Sequence, residues 1–142
     1  MNKFKSLLLG FATIAAILIP FNGFAQNTDE PIISFRTNLY DMYGETNEFS
    51  LVIGGTTAEG YFDVDCGYGK IEYELEQAVF DEDTQGITGT FISGKVSKDG
   101  IVKIYGDAQN ISYINADGCY IEWIDMDKCV NLSVLSMSHN DL

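Results

Sequence analysis

The chain is short of several things that chemistry usually needs. It has one histidine, two prolines, one tryptophan and only eight lysines and arginines in 142 residues. A lone histidine, His139, cannot supply a metalloprotease pair or complete a zinc set from the three cysteines, Cys66, Cys119 and Cys129, whose spacings fit no zinc pattern. An odd cysteine count leaves at least one thiol free in an exported chain. Eight bases against 21 acids give a net charge of −13. That balance argues against nucleic acid and anionic lipid as partners, because phosphate contacts rest on Lys and Arg.

Catalytic motifs are also missing. There is no nucleophile elbow, no phosphate loop and no HExxH. Carboxylates do occur in pairs: Asp63 with Asp65, Glu72 with Glu74, and the run Asp81-Glu82-Asp83. Acids two apart on a strand share a face, whereas glycosidases hold theirs across a cleft. The run at 81–86 offers oxygen ligands for calcium without the EF-hand spacing. Its plainer reading is a solvated loop. The expectation is a protein that is not an enzyme, with no cofactor and no assigned metal site.

The start of the chain resolves into a leader. Lys3 and Lys5 precede an apolar run of 13 residues, 7–19, too short for a comfortable membrane span. Gly23 and Ala25 place small residues at −3 and −1 of a cleavage site after Ala25. Residues 1–25 therefore read as a signal peptide, the alternative being an uncleaved anchor. The expected location is secreted or at the cell surface, with the periplasm the other compartment. Removal of Lys3 and Lys5 takes the charge from −13 to −15 and leaves no membrane span.

Residues 26–106 read as a small β-domain. The segment is rich in Thr, Tyr, Phe, Ile and Val, with frequent Gly. Strands are expected near 32–37, 48–53, 60–65, 70–76, 87–96 and 101–105. Ile71, Tyr73 and Leu75 alternate with Glu72, Glu74 and Glu76, the pattern of a strand with one dry face. Ile101 to Tyr105 looks covered on both faces. Turns are signalled by Gly54-Gly55, Cys66 to Gly69, 81–86 and Lys98-Asp99-Gly100. Asp99-Gly100 lies between two apolar runs and reads as a hairpin turn. Several short strands separated by turns point to a small antiparallel β-sandwich.

The last 32 residues, 111–142, follow another rule. Apolar residues fall at Ile111, Ile114, Ala116, Cys119 and Ile121, then at Ile121, Ile124, Met126, Cys129 and Leu132. A third pass runs through Leu135, Met137, Asn140 and Leu142. Each has the form LxxLxLxx(C/N)xL, and the starts at 111, 121 and 132 are ten and eleven residues apart. Twelve of the thirteen positions are apolar, against five of the 19 between them. A helix turns position 5 about 140° away from position 0, so Ile111 and Ala116 would not share a helix face. A coil turning inward every half repeat gathers them all. Two passes make a 21-residue repeat, inside the leucine-rich-repeat range of about 20–29. Asn140 sits 21 residues after Cys119, so the two would stack, each facing turn backbone that needs partners. Cys119 and Cys129 would face inward from opposite sides and stay unbridged. The alternative is a plain β-meander with a chance spacing.

LSVLSMSHNDL and IEWIDMDKCVNL resemble the repeats of secreted bacterial leucine-rich-repeat proteins, and KIYGDAQNISYINADGC resembles the junction before their first repeat. GYFDVDCGYGKIEYEL resembles a strand–turn–strand of PKD-like, immunoglobulin-type domains. The repeat match covers about a quarter of the chain, and it departs from the family in stopping after one and a half repeats. The resemblance implies an all-β chain: a small antiparallel β-sandwich (26–106) followed by the first turns of a leucine-rich-repeat solenoid (107–142). It also implies a ligand-binding face between the inward positions: Tyr113, Asn115 and Asp117 on one strand, Val134, Ser136 and Ser138 on the next, with Tyr113 as aromatic anchor.

Three functions follow as expectations. The first is non-catalytic recognition of a protein or cell-surface ligand, an adhesion-like scaffold. The second is a structural cap for a longer repeat protein. The third is a carbohydrate- or calcium-binding sandwich. The uncapped third pass, with Leu135, Met137 and Leu142, predicts self-association.

Overall fold

The computed structural model describes residues 29–142; the expected leader, 1–25, lies outside them. The described chain is mostly β, with one short helix. The strands are β1 (Ile33–Thr37), β2 (Phe49–Gly55), β3 (Tyr61–Asp65), β4 (Lys70–Glu74), β5 (Val79–Asp81), β6 (Gly86–Thr88), β7 (Thr90–Gly94), β8 (Ile101–Tyr105), β9 (Ile111–Asn115), β10 (Ile121–Asp125) and β11 (Val134–Ser136), and the helix is α1 (Leu39–Tyr43).

Two sheets enclose one core. The first has the order β10-β1-β8-β3-β4, all antiparallel. The second has the order β11-β9-β2-β7; it is antiparallel except for the β9–β11 pair. Strands β5 and β6 form a separate hairpin. Ile33, Phe35, Val102 and Ile104 from the first sheet join Leu51, Ile53, Ile92 and Ile114 from the second in a continuous cluster. Alternation produces this: in β2, Phe49, Leu51 and Ile53 are buried while Ser50 is exposed. Burying each such aliphatic side chain is worth about 1.5–3 kcal/mol.

The last third of the chain is woven into this body. Strand β9 pairs with β2, and β10 pairs with β1. Residues 107–142 thus supply strands to both sheets, and Ile111, Ile114, Ala116, Cys119, Ile121 and Cys129 belong to the same core as residues 32–104.

Several expectations change against these pairings. The run 87–96 is two strands, β6 and β7, bent at Gly89. A Cβ at Gly89 would lie 2.7 Å from the Ile53 carbonyl oxygen, so the corner needs glycine. Asp99-Gly100 is not a hairpin turn, because β7 and β8 lie in different sheets. The Asp99 carboxylate instead accepts from the Ile101 amide and the Ser97 hydroxyl, and Gly100, at φ +69°, gives its carbonyl to the Thr37 amide. On β8, Lys103 is exposed, so that strand is not covered on both faces. The dry face expected of 70–76 fails at its start: Leu75 is buried, Tyr73 half-buried and Ile71 exposed. The reason is position, since β4 is an edge strand. A hollow of about 240 Å³ opens beside it, lined by Val64, Cys66, Tyr68, Ile71, Tyr73 and Ile92.

One buried polar residue fastens the loop between α1 and β2. Asn47 donates to the carbonyls of Gly44 (2.7 Å) and Val96 (3.0 Å) and accepts from the Val96 amide (2.8 Å). All of its hydrogen-bonding capacity but one acceptor site is used, as a buried amide requires.

Candidate functional site

The residues singled out for binding lie on the outer face of the second sheet. The register there is Tyr113↔Val134, Leu135↔Ile114 and Ser136↔Asn115, each pair 21 residues apart and parallel. The pairing runs on past β9, with the Ala116 amide donating to the Ser136 carbonyl (2.9 Å) and the Gly118 amide to the Ser138 carbonyl (2.8 Å).

Asp117, Ser136 and Ser138 come together. The Asp117 carboxylate accepts from the Ser136 hydroxyl at 2.8 Å and from the Ser138 amide at 2.6 Å. These bonds favour the ionised form, chiefly the Ser136 hydroxyl and then Ser138, and hold the acid below the usual carboxylate range. Asn115 joins through its side-chain oxygen, which accepts from the Asp117 amide (3.0 Å). Val134 stands on the same face, partly exposed.

Tyr113 is different. It is 6% exposed, so the expected aromatic anchor is covered. Its register partner on β2 is Gly54, and a Cβ at Gly54 would lie 2.7 Å from the Ala78 side chain. The crossing segment at 76–78 is tied down beside it: the Gly55 amide donates to Glu76 and the Ala78 amide to Gly55. Chain packed over this end of the sheet closes it to a partner.

The face is also larger than the tail. Antiparallel pairing carries Val52 next to Asn115, and Phe91 next to Val52. One row across the sheet therefore reads Phe91, Val52, Asn115, Ser136. Ser93 and Ser50, a register pair, stand in the adjoining row. Phe91 is 62% exposed and is the available aromatic on this face. Sequence reasoning did not find Ser50, Val52, Phe91 and Ser93. Alternation within their own strands marks them as outward, but nothing local says that β2 and β7 lie beside β9.

The first and third passes show how the tail's polar position is used. Asn140 accepts from the Ile121 amide (2.8 Å) and donates to the carbonyls of Ala116 (2.9 Å) and Met137 (3.0 Å). The Cys119 thiol donates to the Ser50 carbonyl (3.1 Å). Burial, foremost, pushes all three thiols up to about 11, and all three are free.

Two other places have recognisable chemistry. A cleft of about 820 Å³ lies at the loop end, lined by Tyr61, Glu59, Asp63, Glu72, Asp107 and Asn110 among others, with no base in its lining. Asn110 is spent on structure, accepting from Thr56 and Thr57 and donating to Glu59. The acidic loop 81–86 is the turn of the β5–β6 hairpin, where the Asp81 carboxylate accepts from the Asp83 amide (3.0 Å). Among the described residues no three His, Cys, Asp or Glu side chains are grouped to hold a metal ion. No described helix is long and apolar enough to cross a membrane.

No family model, curated protein or solved structure matches the chain.

Proposed function

We propose that this is a secreted, non-enzymatic recognition protein of the leucine-rich-repeat type, binding a protein or cell-surface ligand through the outer face of its second sheet. One observation carries the reading. Strands β9 and β11 lie side by side in parallel at a 21-residue offset, the spacing that the apolar pattern gives for a full repeat. Strand β10 lies between them in sequence and in the opposite sheet, as a half-repeat should. The outer face then presents Phe91, Val52, Asn115 and Ser136 on a rigid ladder, with the Asp117 carboxylate, Ser50 and Ser93 beside them.

That composition suits contact with a folded surface. It combines one exposed aromatic ring, one aliphatic side chain and a field of hydroxyl and amide groups held by backbone pairing. Aromatic anchors set within polar surroundings dominate many interfaces. A stable contact wants about 800 Å² on each partner. The four-stranded face is a better candidate for that area than β9 and β11 alone.

The test uses labelled purified protein and intact bacterial and animal cells. Binding should fall about tenfold or more for Phe91→Ala and for Asn115→Lys, consistent with loss of an anchor worth more than about 1.4 kcal/mol. Trp123→Ala, on the other sheet, should leave it unchanged. Equal loss for all three, or none for the first two, would reject the face. Export is tested separately: mass spectrometry of protein recovered from the medium should find Gln26 at the N-terminus.

A further inference from the structure

We propose that the outer edge of β11 is closed by β11 of a second copy of this chain, pairing antiparallel about a two-fold axis through Leu135.

The inner face of the second sheet carries one row of four register-matched residues: Thr90, Ile53, Ile114 and Leu135. Their exposures are 8%, 0%, 2% and 42%. Leu135 lies in register with these inward residues and is wet because no described strand pairs with β11 on the side away from β9.

The four sheet edges are not alike. Strand β4 carries Lys70, Glu72 and Glu74, and β10 carries Glu122 and Asp125. Strand β7 is tied at its start, where the Thr90 hydroxyl donates to the Glu74 carbonyl and accepts from the Glu76 amide, and Lys95 follows it. Charge and cover of this kind keep edges from pairing with other chains. Strand β11 has neither. From Val130 to Asn140 there is no Asp, Glu, Lys or Arg, in a chain with 29 such residues.

Charge tells where a second copy can sit. Two copies each carrying −13 repel over most of their surfaces, so they approach best where neither is charged. A basic partner would be drawn to the acidic remainder of the surface instead. The edge is also self-complementary. With Leu135 on the axis, Leu135 meets Leu135 of the second copy and Val134 meets its Ser136, then Ser136 meets its Val134, the reciprocity a two-fold contact requires. The inner row would then run from Ile53 and Ile114 through both Leu135 side chains to Ile114 and Ile53 of the second copy.

Sedimentation velocity on the purified protein should show a concentration-dependent dimer. Hydrogen exchange of the Leu135 amide, which points away from β9, should slow as the dimer fills. Val134→Lys should raise the dimer dissociation constant by about tenfold or more, each tenfold being about 1.4 kcal/mol. Val134→Glu should do the same, and an equimolar mixture of the two variants should recover dimer. Circular dichroism and melting of each variant at low concentration check that it folds. A monomer at every concentration, a dimer indifferent to both variants, or a dimer without slowed exchange at Leu135 would overturn the proposal. A partner strand from another protein, in place of a second copy, would appear as a persistent monomer whose Leu135 amide slows only when that protein is added, and would overturn it equally.

Discussion

The first and third passes of the tail share one pattern and live in different surroundings. In the first, Ile111, Ile114, Ala116, Cys119 and Ile121 are all buried. In the third, Leu135 and Leu142 are exposed while Met137 and Asn140 are only half-covered. The spacing of apolar residues sets which way each side chain points. Whether that direction is dry depends on the neighbouring strand. Strand β9 has β2 on one side and β11 on the other, whereas among the described residues β11 has β9 alone.

The largest effect should come from cutting the same side chain size in the two settings. Ile114→Ala removes a fully packed group and should cost about 2–5 kcal/mol in urea unfolding. Leu135→Ala, at the open end of the same row, should cost under about 1 kcal/mol in the monomer, because less area leaves water. If Leu135→Ala costs as much as Ile114→Ala at high concentration and little at low, the third pass is being closed by association. Equal costs at every concentration would end the contrast.

Asn140→Ala comes next. It strands the Ile121 amide and the Ala116 carbonyl, which Asn140 bridges across passes. Orphaning such groups costs about 1–3 kcal/mol each where water cannot reach, so a total loss of about 2 kcal/mol is expected at this half-buried site. Asn140→Asp keeps the acceptor and loses the donor, so it should fall between. A loss below that of Leu135→Ala would mean the passes are held by side-chain packing alone.

Much of this was readable in advance, for physical reasons that also set the limit. The β character, the strands at 33–37, 49–55, 61–65 and 101–105, and the inward direction of Ile111, Ile114 and Ala116 are local matters of alternation and turn chemistry. The parallel 21-residue register of Tyr113 with Val134 came from spacing as well. What spacing could not give is which distant strand lies alongside. The β2–β9 and β1–β10 pairings join residues some sixty to ninety positions apart. They weave the tail into both sheets and widen the candidate face to Phe91 and Val52. Tyr113 is covered for a reason of the same kind, since its register partner Gly54 lies against Ala78 of the β4–β5 connection.

A smaller effect should appear in acid. Asp117 joins the first pass to the third, and its folded-state pKa is lowered by the Ser136 hydroxyl and the Ser138 amide. A depressed acid stabilises the fold above its unfolded value of about 3.9, and that contribution fades as pH falls through the folded value. Wild-type stability should therefore drop below about pH 4, and Asp117→Asn should flatten that part of the curve while leaving Asn140 intact. An unchanged acid limb would show that the two serines do not hold the carboxylate in solution.

The smallest signal is a labelling order. With the thiols raised to about 11, a thiol reagent at pH 8 meets only about one thiolate in a thousand even at an accessible site. Reaction then reports local opening as well as burial. Cys66 is half-buried at the wet edge of β4 and should react first. Cys129 belongs to the second pass, in a turn where its carbonyl accepts from the Leu132 amide. Cys119 belongs to the first pass and donates to Ser50 of β2. If the tail opens from its exposed end inward, Cys129 should react before Cys119, and Leu135→Ala should speed Cys129 alone. Mass spectrometry of partly labelled protein reads the order directly. Equal rates for Cys119 and Cys129 would mean that the passes open together, with the open third pass no looser than the first.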